Sequence, residues 1–393
     1  MSYNFDEIID RSHTGAVKLE RSKALFGTDD LLPLWVADMD FRTPDFILNA
    51  ISERLKHPIL GYTLPPADFY PLMQQWITEH HNWNIKREWI GFLPGIVPGL
   101  AFAVQSLTEE GDEIIVQPPV YYPFFHVIEN NNRTLVYNPL KEEDGKFVMD
   151  FDDLENKFTA KTKLFILCNP HNPGGRVWTK EELLKFSTIC QKHNVIIISD
   201  EIHADMVLPG QIAHTPLASV SDWAENNTVT FMAPTKVFNM PGLVSSGYII
   251  PNTELRTKFA LFLEASEMNA GNLFAYIGAV AAYQHGEEWR CEMLEYVQKN
   301  INYIADYLKN NIPQIVPMIP EASFLVWLDC EKLGMETDEL HRFFSFQAKL
   351  GLNKGTVFGP GGECHLRLNV ACPRSILEKA MEQLKTAVEQ LHI

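Results

Sequence analysis

The chain has 393 residues, 46% of them apolar, and a formal net charge of −17, which predicts two domains and, with no extended Lys/Arg stripe, argues against a nucleic-acid partner. Its six cysteines, at 168, 190, 291, 330, 364 and 372, form no CxxC pair and show no zinc-ligand spacing, so reduced, buried thiols and no metal site are expected. The acidic start at residues 1–7 lacks the basic region of a signal peptide, and no apolar run approaches the ~18 residues of a membrane span, so the expectation is a soluble, cytoplasmic protein with no membrane partner.

In chain order, Thr43-Pro44-Asp45 predicts a helix start, with Thr43 as cap, Pro44 in the first turn and apolar residues at 46, 47, 48, 51 and 55. Strands and helices then alternate: strand 89–93, helix 97–108, strand 113–116, a helix after Tyr122, strands 134–137 and 164–167, helix 180–193, and strands 195–199, 229–232 and 247–250. This pattern predicts an α/β fold with a largely parallel sheet covered on both faces. Beyond Asn252 the periodicity is helical to about Asn311, with a break near Gly286. Strands near 323–328 and 365–370, with helices near 337–349 and 375–391, read as a smaller α+β unit to which the first forty or so residues are expected to return.

Two groups carry the chemistry. Asp200 ends the apolar run Val195-Ile196-Ile197-Ile198, and Lys236 follows Thr228-Val229-Thr230-Phe231-Met232. Both are expected at C-terminal strand ends, where open α/β sheets bind ligands. A lysine amine forms an imine with the aldehyde of pyridoxal phosphate, and a carboxylate beside the pyridine nitrogen keeps that nitrogen protonated.

Around this pair, Pro94-Gly95-Ile96-Val97-Pro98-Gly99 lies between a strand and a helix, where free backbone N–H groups suit a phosphate; alone it reads as an ordinary tight turn. Asn169-Pro170-His171-Asn172-Pro173-Gly174-Gly175 reads first as turn chemistry, yet an asparagine amide there can donate to a phenolic oxygen. Tyr121 and Tyr122 are packing aromatics or, for one of them, a flat face for a ring. His203 is a packing histidine, a group that reaches the same phenolic oxygen, or a support for Asp200. Arg367, in His365-Leu366-Arg367-Leu368-Asn369, is a solvated strand residue or a clamp for an α-carboxylate.

Taken together, these segments resemble fold-type I pyridoxal phosphate enzymes, and more narrowly the cystathionine β-lyase branch of cysteine-sulfur lyases within the class I/II aminotransferase superfamily. The likeness runs from LPLWVADMDF at 32–41 through GYT, PGIVPGL, PPVYYPF, NPHNPGG, SDEIHAD and APTKVFNMPGL to HLRLNVACPR at 365–374. It implies a large cofactor domain at 50–285 with a mostly parallel seven-stranded sheet between helices, and a small domain from 1–49 and 286–393. It further implies that Lys236 binds the cofactor and moves the proton, Asp200 faces the ring nitrogen, Asn172 the phenolic oxygen, and Tyr121 stacks on the ring. Gly95, Ile96, Val97 and Thr235 would hold phosphate, and His203 would also contact the cofactor. Arg367 and Asn172 would bind the substrate carboxylate beside Val36 and Ala37, and Tyr62 would reach the neighbouring site of a homodimer.

Relative to aminotransferases at large, the chain has His203 where a tyrosine is common and Ala233 where a serine is common, and the lyase branch resembles it at both. The implied activity is β-elimination from cystathionine or cysteine, giving a thiol or sulfide, pyruvate and ammonia. An aminotransferase is the alternative, and a non-catalytic regulatory protein retaining the fold is the alternative of another class.

Overall fold

The computed structural model describes residues 2–392. Its strands are, in chain order, β1 (Leu32–Pro33), β2 (Ile90–Leu93), β3 (Glu113–Val116), β4 (Thr134–Tyr137), β5 (Lys141–Glu143), β6 (Lys146–Val148), β7 (Thr162–Cys168) and β8 (Ile196–Asp200). They continue as β9 (Thr228–Met232), β10 (Ser246–Ile249), β11 (Val316–Met318), β12 (Leu325–Asp329), β13 (Leu350–Gly351), β14 (Asn353–Lys354) and β15 (His365–Asn369). Seven of them make one sheet in the order β2-β10-β9-β8-β7-β3-β4. β10 runs antiparallel to both neighbours, and every other pair is parallel.

Alternation along each strand sends side chains to two apolar layers. Ile114, Leu164, Ile166, Ile198 and Phe231 pack with the helices Ile96–Leu107 and Thr253–Ala265 on one face. Ile115, Phe165, Leu167 and Ile197 pack with the helix Lys180–His193 on the other. That last helix has the expected bounds because Thr179 and Glu182 form a reciprocal capping box at its start and Asn194, at φ 52, ends it in the left-handed region.

The helix after Thr43 departs from expectation. It spans Asp45–Leu55 with Pro44 as its N-cap and no side-chain cap; the Thr43 hydroxyl instead donates to the carbonyl of Asn239, 2.8 Å away. The hairpin of β5 and β6 and the helix Phe69–His81 are further elements, and the helix expected over 337–349 is an α-helix, Thr337–Arg342, continued by a π-turn, Phe343–Gln347. All six cysteines are free, but Cys291 is exposed and Cys364 only half-buried, against the expectation of burial throughout.

A second, antiparallel sheet has the order β11-β12-β15-β14, and β1 pairs in parallel with β13, so the N-terminal segment does return to the C-terminal part. The helices Glu287–Asn311 and Arg374–Glu389 pack in one large core with its strands. Among the described residues no helix is long and apolar enough to cross a membrane, and no group of three or more His, Cys, Asp or Glu could hold a metal ion.

The loop after β7 locks to the segment before β12. Gly175 accepts from the N–H groups of Glu321 (2.8 Å) and Ala322 (2.9 Å), and Glu321 binds Arg176 and Lys146, both at 2.7 Å. Gly175 has φ +65, and a Cβ on it would lie 2.3 Å from Pro320 Cβ and 2.7 Å from the carbonyl of Ala322. Gly175→Ala is therefore expected to cost about 1–3 kcal/mol of stability by chemical denaturation, from overpacking and left-handed strain; parental stability would mean that this junction yields freely.

Candidate active site

The C-terminal ends of β2, β3, β7, β8 and β9 open on one edge of the large sheet, and the segments leaving them build one cavity of about 260 Å³. Gly95, Ile96, Val97, Tyr121, Asn172, Asp200, His203, Thr235, Lys236 and Ala37 all line it. Ten residues scattered over 200 positions of sequence thus meet because parallel strands end together.

At one end, Gly95 is the N-cap of the helix Ile96–Leu107 with φ 113 and ψ 154, a conformation that favours glycine. The first N–H groups of that helix, from Ile96 and Val97, have no partner one turn back, and Pro98 contributes none. Thr235, Ser245 and Ser246 are buried there and line the same end. Free helix amides beside hydroxyl side chains form an anion cradle.

Further in, Asp200 is 2% exposed; one carboxylate oxygen accepts from the N–H of Ile202 at 3.1 Å. Burial pushes its carboxyl up to about 7, against the pull of that N–H. His203 is buried with Nδ1 unpartnered, and burial, joined by the cations of Lys236 and Arg367, pushes it down to about 3, so its imidazole is neutral. The Tyr121 phenol is pushed up by burial, and it presents a protonated, flat ring to the cavity.

Lys236 is half-buried, and its Nζ donates to the carbonyl of Ala37 at 2.6 Å. Burial lowers its ammonium to about 8, with Asp38 and Asp200 pulling upward and Arg367 downward. Asn172 Oδ1 accepts from Arg367 Nη1 at 3.0 Å, which leaves its amide N–H₂ as the group able to face the cavity.

Arg367 is not on the cavity wall. It stands buried behind Asn172, donates also to the carbonyl of Trp35 (3.0 Å) and to Asn353 Oδ1 (2.6 Å), and stacks on Phe358. Its Nε has no partner, it pairs with no carboxylate among the described residues, and burial pushes it down to about 10. Val36 lines a larger adjoining cavity of about 740 Å³ that shares Ala37 and Lys236 with the first. Tyr62 is brought to neither: it is fully exposed in the irregular segment 58–66, with Ile59, Leu60 and Leu64 also exposed.

Sequence reasoning missed Ser245, Ser246 and Cys168. Ser246 opens β10 and Ser245 precedes it, and because β10 is reversed its start lies at the edge where its neighbours end, with Ser246 opposite Leu93. Cys168 ends β7 opposite Asp200, and its Sγ accepts the N–H of Asn172 at 3.3 Å; a Cys directly before an Asn-Pro loop carries no recognisable signal.

Three comparisons bear on this site. The family model described as aminotransferase class I and II matches residues 29–384. A curated cystathionine beta-lyase, PatB of Bacillus subtilis, is 44% identical over 98% of this chain and all of its own. Among solved structures, a pyridoxal phosphate-bound protein of Clostridium difficile 630, provisionally described as an aminotransferase, is 43% identical with a TM-score of 0.96, covering 98% of this chain and 100% of its own. The pyridoxal phosphate-bound C-S lyase of Staphylococcus hominis is 35% identical with a TM-score of 0.91, covering 99% and 98%.

The lowered ammonium of Lys236 has a direct signature. In the full chain free of cofactor, reductive methylation of Lys236 by formaldehyde should rise with pH through a midpoint near 8, about two units below the ~10.4 of a free lysine. Peptide mass analysis reads it; a midpoint equal to that of the surface lysines would contradict the site described.

Proposed function

The chain belongs to the aminotransferase class I and II family, and from that membership we propose that it is a pyridoxal 5'-phosphate-dependent carbon–sulfur β-lyase acting on cystathionine or cysteine. The lyase reading is carried by full-length likeness to a curated cystathionine beta-lyase. The cavity fits the cofactor in its donor set: an anion cradle, a buried carboxyl and a half-buried amine line it together.

Pyridoxal phosphate, when bound, supplies an aldehyde that captures amines and a ring that takes up the electron pair of a breaking bond at the substrate Cα. Lys236 would hold that aldehyde and, as a free amine, would take the Cα proton; an amine lowered to about 8 is suited to do so near neutral pH. Asp200 keeps the ring nitrogen protonated, and that positive partner favours its ionised form. Ile96, Val97, Gly95, Thr235, Ser245 and Ser246 hold phosphate. The Asn172 amide, with neutral His203, would face the phenolic oxygen, and Tyr121 would offer its flat ring to the cofactor ring.

Arg367 takes the substrate carboxylate by exchanging its neutral acceptors for a charged one, with Asn172 beside it and Val36 and Ala37 bordering the substrate. The thiolate then leaves from Cβ, and the remaining enamine hydrolyses to pyruvate and ammonia. We place this activity in a cytoplasmic homodimer, on the free cysteines and on the exposed Tyr62, which would serve the phosphate of the neighbouring subunit. The large domain is assigned to 50–285 and the small one to 1–49 with 286–393, on the pairing of β1 with β13.

An aminotransferase is the second reading, favoured by the description of the Clostridium difficile protein; the same Cα proton would then be returned elsewhere and no thiol lost. Purified protein given cystathionine or cysteine should release pyruvate and thiol or sulfide, whereas amino transfer to an added keto acid without pyruvate would overturn the lyase reading. Lys236→Ala should abolish turnover. Arg367→Ala should lower kcat/KM about 10- to 100-fold, the worth of a charge-assisted bond of about 1.5–3 kcal/mol; unaltered kcat/KM would remove its role.

A further inference from the structure

Residues Trp35 to Phe41 form an irregular strap whose Ala37 lines the site, tied by side chains that grip its main chain. Asn369 donates to the carbonyls of Val36 (2.6 Å) and Asp38 (2.7 Å), and Asn239 bonds both the N–H and the carbonyl of Met39. Lys236 donates to the carbonyl between these grips, that of Ala37.

The strap also carries two acids, and both are held from one side. Lys18, only 2% exposed, places its Nζ 3.2 Å from Asp38 Oδ1 and 3.0 Å from both oxygens of Asp40. Arg11 bridges the same pair, at 2.6 Å to Asp38 and 2.7 Å to Asp40. The indole of Trp35 donates to the carbonyl of Lys18, which fixes the helix Val17–Glu20 to the strap. Two cations and two carboxylates neutralise each other, and removal of one cation leaves two acids, two residues apart, repelling in a partly desolvated place.

We propose that Lys18 and Arg11 are positioning residues for Lys236, acting through Asp38 and Asp40 to hold the carbonyl of Ala37 against its amine. The inference rests on Lys236 being the reactive amine of the proposed function. The charged and titratable groups that face Lys236 are Asp38 on the strap, Asp200 and His203 at the end of β8, and Arg367 on β15. Lys18 thus bears on Lys236 by placing Asp38 and Ala37, not by its own charge.

The test uses the full chain without turnover, so it fails or succeeds independently of the lyase assay. Deuterium uptake of the 35–41 segment and the methylation midpoint of Lys236 are measured in Lys18→Met, Lys18→Arg, Arg11→Met and Asp38→Asn. Lys18→Met should raise strap uptake severalfold and lower the midpoint by about half a pH unit or more, because the ammonium loses an acceptor and a neighbouring negative charge. Lys18→Arg should restore both, and Asp38→Asn should lower the midpoint. Parental uptake and midpoint in Lys18→Met, or equal damage from Met and Arg, would overturn the proposal. Should Lys18→Met fail to fold, unshifted midpoints in Arg11→Met and Asp38→Asn would overturn it.

Discussion

A guanidinium and an ammonium stand at one edge of the large sheet with neutral oxygens as their hydrogen-bond acceptors. Arg367 is answered by two side-chain amides and a carbonyl, Lys236 by one carbonyl. Cations removed from water without a paired carboxylate are costly, and the cost appears as lowered proton affinity in both. The arrangement leaves the site poised for negative charge and for covalent capture of a carbonyl.

The rest of the molecule serves to keep that edge in place. Buried strands with core on both faces fix where β7, β8 and β9 stop, and therefore where Asn172, Asp200 and Lys236 begin to leave the sheet. The second sheet brings Arg367 and Asn369 from the far end of the chain to the strap formed near its beginning. Glu321, with Arg176 and Lys146, fastens the two sheets beside the Asn-Pro loop. No single segment contains the site, which exists only where these layers meet.

Much of this was legible in the residues. Aliphatic runs marked β3 and β4 at their observed bounds, and the helix expected over 180–193 has those bounds. The lysine and aspartate stood out because each closes such a run. Proline misled at residue 44: a proline tolerated at the first helical position also serves as the residue just before it, and Thr43 was free to bond Asn239 instead. Ser245 and Ser246 were hidden because strand direction is not written in a short run, and one reversed strand moves its first residues to the opposite edge. Lys18 and Arg11 were hidden for another reason: an ordinary basic residue becomes a buried partner only through folding of a distant acidic segment onto it.

Identification of the residue that captures the cofactor tests the account most directly. The protein loaded with pyridoxal phosphate is reduced with borohydride, digested and mapped by mass spectrometry. The account predicts the reduced cofactor's mass on the peptide that carries Lys236; the mass on another lysine, or on none, would contradict it.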